Sequence, residues 1–379
     1  MSQGIKVAVL TALFPPAYRG GGPIRSAEAM VAAAPVKYRP VVLTGDRDLG
    51  SSEPLPVETN RWTDHDGFPV YYVNTRSIGA LVRAFRSVRR ERPEILHFNS
   101  FFDPRLTIVP IMMWRLGFWG RPTLLLAPRG EFGRGAIQRR AVKKRLYMAL
   151  FRLLRIDRAV TWHSTADHET EDIRREWGAD ARIVLRENHT LLPREPLAPA
   201  VPSGDVVRLT FVGRIVEHKG LAVAIEAASD SGPLILDVYG ATEDKQYADH
   251  CESLAKSVAE NVTVTFKGLV DAGEVRQVLS GYDGLLMPTA GENFGHVIAE
   301  ALSASCPVVV TPYTPWTETL ESAGIIVPDR DPSSWTAAIK RLSAMSPAQR
   351  SALRQNAADA YRMWRARESA PHVWDMVAR

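Results

Sequence analysis

Four charged residues in the second half of the chain have types and spacing that could do chemistry. Glu292 and Glu300 are separated by seven residues, and Arg214 and Lys219 lie at the two sides of a short loop. The carboxylates belong to a segment that starts with the apolar run Leu285–Met287, a buried strand stopped by Pro288. A turn-rich loop, Thr289–Gly295, follows. From His296 to Ala304 apolar residues recur at helical spacing, and Pro307 then opens a second buried run, Val308–Val310. The order strand, loop, helix, strand is one crossover unit of a parallel sheet. Its loop carries Glu292 into a helix N-terminus, where backbone N–H groups and the helix dipole favour an anion. Glu300, further along the helix, suits neutral hydroxyls. A sugar nucleotide offers both phosphate and ribose hydroxyls. On spacing alone, a surface loop followed by an amphipathic helix with solvated acids is the plainer reading.

Arg214 and Lys219 stand in Phe-Val-Gly-Arg-Ile-x4-Lys-Gly, between a strand over Arg208–Val212 and a helix from Leu221. Two cations leading into a helix N-terminus suit a diphosphate. In the first half, the strand Ile5–Leu13 is followed by Gly20, Gly21 and Gly22, a flexible turn or a loop that lets backbone approach a ligand. His97, Asn99 and Asp103 stand at the exit of the strand Glu94–Phe98, and His163 at the end of Ala159–His163. The carboxyl ends of parallel strands are where such sheets bind ligands. A lone strand-end histidine is more often structural. Arg129 lies in Pro-Arg-Gly after the strand Thr123–Ala127. Its guanidinium stays charged, so its role would be electrostatic.

These elements need two domains, and 379 residues can hold two separate cores. Six prolines, serines and glycines crowd residues 193–204 and mark a linker. The expected division is 1–193, a linker at 194–205, a second domain over 206–358, and a C-terminal helix over 359–379 that returns to the first, with Trp364 and Trp374 as its anchors. Residues 50–70 read as a surface excursion, and Ser164 with Asp167 as a helix-capping pair. Cys251 and Cys306 supply neither a disulfide framework nor zinc spacing, which fits a reducing compartment. No apolar run has the form of a signal peptide or a membrane span.

Charge is uneven. Residues 1–195 carry 31 Lys and Arg against 20 Asp and Glu, and no acid occurs from Arg134 to Arg155. That stretch is a basic amphipathic helix. Either it is a core helix with a solvated basic face, or Arg139, Arg140, Lys143 and Lys144 meet an anionic membrane. No nucleic-acid partner is expected.

The segment Pro-Thr-x-Gly-Glu-Asn-Phe-Gly-His-Val-Ile-x-Glu-Ala-Leu, ending in Pro-Val-Val, resembles the Glu-x7-Glu signature of retaining glycosyltransferases of family four. The Arg214/Lys219 segment resembles the phosphate motif of that family. The Pro-Arg-Gly loop resembles a branch acting on bacterial surface polysaccharides, where other branches place a histidine at Arg129. One departure is Ser305, where the family usually has glycine.

The resemblance implies a GT-B fold: two Rossmann-like, doubly wound α/β domains facing a central cleft. It implies transfer of a sugar from a nucleoside-diphosphate sugar to a glycan or lipid-linked acceptor, with no cofactor and no metal. Arg214, Lys219, Glu292 and Arg129 would be catalytic. Gly20, Gly21, Gly22, Asn293, Phe294, Gly295, Glu300, Gly268 and Leu269 would hold the donor, with Glu300 on the ribose and Gly268–Leu269 near the base. His97, Asn99, Asp103 and His163 would lie on the acceptor or catalytic side. A cytoplasmic location is expected, at the inner membrane face where the basic helix touches lipid. The alternatives are a sugar-nucleotide epimerase, an inverting transferase with His97 or Asp103 as base, and a non-catalytic sugar-nucleotide-binding subunit.

Overall fold

The computed structural model describes residues 4–133, 137, 141–201, 204, 206–271, 273–367 and 370–377. The chain divides into two compact units, Met1–Leu191 with Ala370–Arg379, and Leu192–Ser369.

Among the described residues, the first unit builds a sheet of eight strands. They are β1 (Ile5–Leu10), β2 (Tyr38–Gly45), β3 (Trp62–His65), β4 (Phe68–Val73), β5 (Ile95–Phe98), β6 (Thr123–Leu126), β7 (Val160–Ser164) and β8 (Ile183–Leu185). The order across the sheet is β3-β4-β2-β1-β5-β6-β7-β8. All pairings are parallel except β3 with β4. Strands β1 and β5 are apolar and largely buried because helices cover both faces of a parallel sheet. The chain winds outward from β1 in one direction through β2 and in the other through β5. The β1–β5 junction is therefore a topological switch point, with the glycine loop and Asn99 at its carboxyl end.

The second unit repeats the plan. Its strands are β9 (Val207–Val212), β10 (Leu234–Tyr239), β11 (Val262–Gly268), β12 (Gly284–Met287), β13 (Val308–Val310) and β14 (Gly324–Ile326), in the order β11-β10-β9-β12-β13-β14 and all parallel. Here the switch point lies between β9 and β12. The loop after β9 holds Arg214 and Lys219, and the loop after β12 holds Glu292. This is the expected doubly wound α/β class.

Four expectations differ from what the fold adopts. Residues 50–70 are not all excursion: β3 pairs with β4 across the turn Asp66–Gly67, whose φ values are 50° and 91°. Two consecutive positive φ angles make the mirror-image turn that suits a hairpin. Ser164 ends β7 instead of capping the next helix. The cap is Ala166, and the Ser164 hydroxyl donates to Ala166 O at 2.8 Å. The last long helix, Pro347–Ala366, packs within the second unit, where Trp364 meets Trp316 and Phe294. Only the segment from Ala370 joins the first unit, with Val373 and Trp374 fully buried in its core. Finally, the stretch expected as a linker, 194–205, is tied down at Leu197. Leu197 N donates to Ser303 O at 2.8 Å and Ser305 Oγ donates to Leu197 O at 2.6 Å, which fixes this stretch to the second unit.

Candidate active site

The loop after β9 passes through the short turn Glu217–Lys219 to Gly220, which caps the helix Leu221–Ser229 in the left-handed conformation, φ 78°. A Cβ at Gly220 would stand 2.1 Å from Pro288 O. Only glycine lets the β9 loop lie this close to the β12 loop. The contact is sealed on both sides: Ala290 N donates to His218 O at 2.7 Å, and Arg330 donates to Pro288 O and Glu217 O, each at 2.9 Å. Arg330 comes from the chain beyond β14, and its sequence neighbourhood contains no signal of this task.

Lys219 and Glu292 meet where the two loops touch. Lys219 Nζ lies 2.5 Å from Glu292 Oε1, and the Thr289 hydroxyl donates to the same oxygen at 2.9 Å. Both charged side chains are largely removed from solvent, with 17% and 10% exposed. The expected division, lysine for phosphate and glutamate for sugar, thus takes the form of a hydrogen-bonded ion pair. Arg214 pairs with Glu243. His218, beside both cations and partly buried, has its pKa lowered to about 4, chiefly by burial and then by Lys219 and Arg214. It is neutral near pH 7.

The Glu292 loop is held from its other side as well. Glu292 N donates to Tyr313 O at 3.0 Å and the Trp316 indole donates to Phe294 O at 2.5 Å. Asn293 and Phe294 lead to Gly295, φ 80°, which precedes the helix His296–Ser303 and gives it no side-chain cap. The first-turn amides of such a helix favour an anion. Glu300 lies on that helix and is 6% exposed. Gly268 ends β11, and its carbonyl accepts from Gly240 N at 2.8 Å. Leu269 beyond it is half exposed. The Ser305 departure is also accounted for. Its φ is 54°, a left-handed position closing the helix, and its buried hydroxyl makes the bond to Leu197 that glycine could not.

In the first unit the glycines Gly20–Gly22 open the helix Gly22–Ala32 after β1. The Asp48 carboxylate, which the sequence did not single out, accepts from Tyr18 N and Arg19 N at 3.0–3.2 Å and fixes the approach to that loop. Arg129 follows β6, with φ 53°. Its Nε donates to Asn99 Oδ1 at 2.5 Å and Nη1 to Asn188 Oδ1, while Nη2 is buried without a partner among the described residues. Burial lowers its pKa to about 10, against the pull of Glu169, so it remains a cation. The Glu169 carboxylate binds Gly130 N at 2.6 Å and both Thr165 N and its hydroxyl at 2.7 Å, which positions the arginine loop.

His97 and His163 are brought together but buried, with 0% and 3% exposed. The Trp374 indole can only donate, so His97 Nδ1 accepts from it at 3.1 Å. Neutral His97 then carries its proton on Nε2, facing His163 Nδ1 at 3.4 Å, and His163 Nε2 donates to Arg186 O at 3.0 Å. Both rings are kept neutral by burial. Asp103 accepts from Arg105 N and Leu106 N and caps a turn. Among the described residues, the cluster that could hold a metal is Glu28, His65 and Asp66, in the first unit. It is not part of the Lys219/Glu292 site.

Two doubly wound parallel-sheet units with loops of this kind define the GT-B fold. Residues 200–360, within the second unit, match the family described as Glycosyl transferases group 1. A 111-residue segment, 28% of the chain, is 30% identical to an uncharacterized glycosyltransferase of Methanocaldococcus jannaschii and spans 27% of that relative's length. Across nearly the whole chain the fold is similar to two solved structures. One is the sucrose-phosphate synthase of Thermosynechococcus elongatus, with TM-score 0.75 and 19% identity over 98% of this chain and 97% of that one. The other is HepE of Anabaena in complex with UDP and glucose, with TM-score 0.71 and 13% identity over 96% and 95%.

Proposed function

We propose that the protein is a retaining glycosyltransferase that moves a sugar from a nucleoside-diphosphate sugar to a glycan or lipid-linked acceptor in cell-surface polysaccharide synthesis. The observation that carries this reading is the Lys219–Glu292 pair, held at 2.5 Å at the switch point of the second sheet by a backbone contact that only glycine permits. The glycosyltransferase domain over residues 200–360 and the likeness to a protein solved with UDP and glucose support it.

In the proposed reaction Lys219 and Arg214 stabilise charge growing on the leaving diphosphate, where preorganised donors have their largest effect. Glu292 and the amides of Asn293–Gly295 hold the donor sugar, Glu300 the ribose, and Gly268–Leu269 the base. Within the first unit, the Gly20–Gly22 backbone and the Arg129 guanidinium are donors of the same kind, after strands β1 and β6 of its own sheet. The leaving phosphate takes the acceptor's proton during attack on the same face, so no side chain acts as general base. The burial of His97 and the capping role of Asp103 support this reading over an inverting transferase that uses either as base. Neither cofactor nor divalent ion is required, since Arg214 and Lys219 meet the diphosphate charge.

A lipid-linked acceptor is favoured by the helix Ala141–Leu153. Val142, Leu146, Leu150 and Leu153 form an exposed apolar stripe at helical spacing, beside the exposed basic residues Lys143 and Arg145. Of the other basic positions expected to face lipid, Lys144 is half-buried with its Nζ 4.6 Å from the Phe102 ring, and Arg139 and Arg140 lie outside the described residues. No helix among the described residues is long and apolar enough to cross a membrane.

The test is incubation of purified protein with UDP-, GDP- and ADP-sugars, first by thermal shift and then by NMR of the transferred anomeric centre. One donor should raise the melting temperature and give a product of retained configuration. Inverted product would overturn the mechanism, and stabilisation by none of the donors would overturn the assignment.

A further inference from the structure

At the amino ends of β5 and β6, the opposite end of the first sheet from Asn99 and Arg129, a cavity of about 850 Å³ is lined by five arginines: Arg86, Arg89, Arg90, Arg92 and Arg121. All five are exposed. None has an ion-pair partner among the described residues, although Glu94 lines the same cavity and Glu91 nearby is taken by Lys6 at 2.6 Å. Arg89 lies over the Phe118 ring at 4.8 Å, and the almost buried Trp119 also lines the cavity.

Ordinary structural causes account for part of this. Arg89 and Arg90 occupy the last turn of the helix Ile78–Arg90, where cations complement the helix dipole. That reason does not reach Arg121, which belongs to another loop, nor Arg92. Arg92 has φ 52° in the turn after the helix, a left-handed position where glycine or asparagine is the ordinary occupant. An arginine kept there lines one concavity with four others and a single carboxylate, Glu94, which leaves an excess of positive charge. Guanidinium forks bind phosphate oxygens in pairs, and several forks around one cavity match a ligand bearing clustered phosphates.

We infer that this cavity is an anion site, separate from the donor site, for a molecule carrying two or more adjacent phosphate groups. A phosphorylated lipid headgroup and a free polyphosphorylated molecule share that chemistry. Exposed Leu116 lies on the same loop as Trp119 and Arg121. Its neighbour Arg115 donates to Leu154 O at 3.2 Å, next to exposed Leu153. Exposed Leu116 and Leu153 thus flank a bond that joins the segment of Trp119 and Arg121 to the helix of the apolar stripe, and of the two sources we favour the lipid.

The experiment is calorimetric titration of the full chain with sodium tripolyphosphate, comparing wild type with the triple variant Arg90→Gln/Arg92→Gln/Arg121→Gln. The substitutions are exposed, and an unchanged melting temperature together with unchanged UDP binding shows that fold and donor site are intact. Wild type should show a binding event that the variant loses or makes at least tenfold weaker. Equal binding by both proteins, or none by wild type, would overturn the inference. Co-sedimentation with phosphatidylcholine vesicles containing phosphatidylinositol bisphosphate separates the sources. Sedimentation that the triple variant abolishes assigns a headgroup. Tripolyphosphate binding without sedimentation assigns a free ligand.

Discussion

At the scale of single residues, the candidate loops of the second unit were legible because glycines and charges cluster there, but the pairing of Lys219 with Glu292 was not. They are far apart in the chain, and only the β9–β12 adjacency joins them. Replacing Lys219 by alanine removes a preorganised charge and leaves Glu292, 10% exposed, without its cation. Turnover at saturating donor should fall by about a hundredfold or more. Stability should fall by roughly 1–3 kcal/mol, because a largely buried carboxylate loses its partner. Steady-state kinetics alongside a urea titration checks both, and near-wild-type turnover would remove Lys219 from the chemistry. Ser305 gives a sharper stability test. It is held in a left-handed conformation, which costs about 1 kcal/mol for a residue with a Cβ, and its hydroxyl satisfies Leu197 O. Ser305→Ala keeps the backbone cost, loses the bond and should destabilise by about 1–3 kcal/mol. Ser305→Gly relieves the backbone and should cost less. Equal unfolding midpoints for the two variants would show that the hydroxyl and the φ angle do not offset each other.

At the scale of elements, the parallel strands were the most legible because their apolar runs are continuous. What was missed depended on partners. The β3 strand, Trp-Thr-Asp-His, is short and half polar, and it exists because β4 pairs with it; the Asp66-Gly67 dipeptide was its readable signal. The Ser164–Asp167 cap failed because Ser164 is still the last residue of β7, and its hydroxyl donates to Ala166 O and accepts from the Thr170 hydroxyl. The helix Ala141–Leu153 was recognised as basic and amphipathic, but sequence could not decide which of its apolar residues face the core. Tyr147, Met148 and Phe151 are buried, whereas Val142, Leu146, Leu150 and Leu153 are exposed. If that stripe docks on lipid, the wild-type protein should co-sediment with vesicles containing anionic lipid, more at low salt than at high. The double variant Leu146→Asp/Leu150→Asp should lose most of that sedimentation and retain donor hydrolysis, since neither residue belongs to the donor site. Full sedimentation by the variant would exclude the stripe as the docking face.

At the scale of the whole molecule, the two switch points follow from strand order, and strand order follows from short crossovers, so the loops that carry the candidate residues were placed in outline before their contacts were known. The histidine group in the first unit shows what order cannot give. His97, His163, His189 and His372 come from four distant segments and gather only when the sheet forms and the segment from Ala370 packs onto it. His189 stacks on His372 at 4.9 Å, and His372 Nε2 donates to Met30 O at 2.9 Å. Burial is the largest influence on all four and lowers each pKa, with Arg129 and Arg186 adding to the effect and Asp375 opposing it at His372; His189 falls to about 3. The unfolded chain has ordinary imidazoles near 6.5, so below that pH it binds protons the folded state refuses. Stability is therefore complete above about pH 6.5 and is lost as pH falls from there toward the folded values. Each fully shifted histidine contributes up to about 1.4 kcal/mol per pH unit. Glu28 and Glu131, whose pKa values burial raises, act in the opposite sense: as pH falls the folded state takes up their protons first, and the gain is complete at the ordinary glutamate value. Between pH 6.5 and 5.5 the first unit should lose stability, by about 1 kcal/mol for each histidine that stays neutral in the fold. The measurement is urea unfolding at pH 7.5, 6.5 and 5.5, with amide exchange in β5 and β7 reporting on the first unit. His189→Phe, which replaces a buried titrating ring with one that cannot charge, should flatten the pH slope by about one proton's worth. Equal stability of β5 and β7 at pH 7.5 and 5.5 would mean that the four rings are not held neutral, and would also undo the chain of donors from Trp374 through His97 and His163 to Arg186.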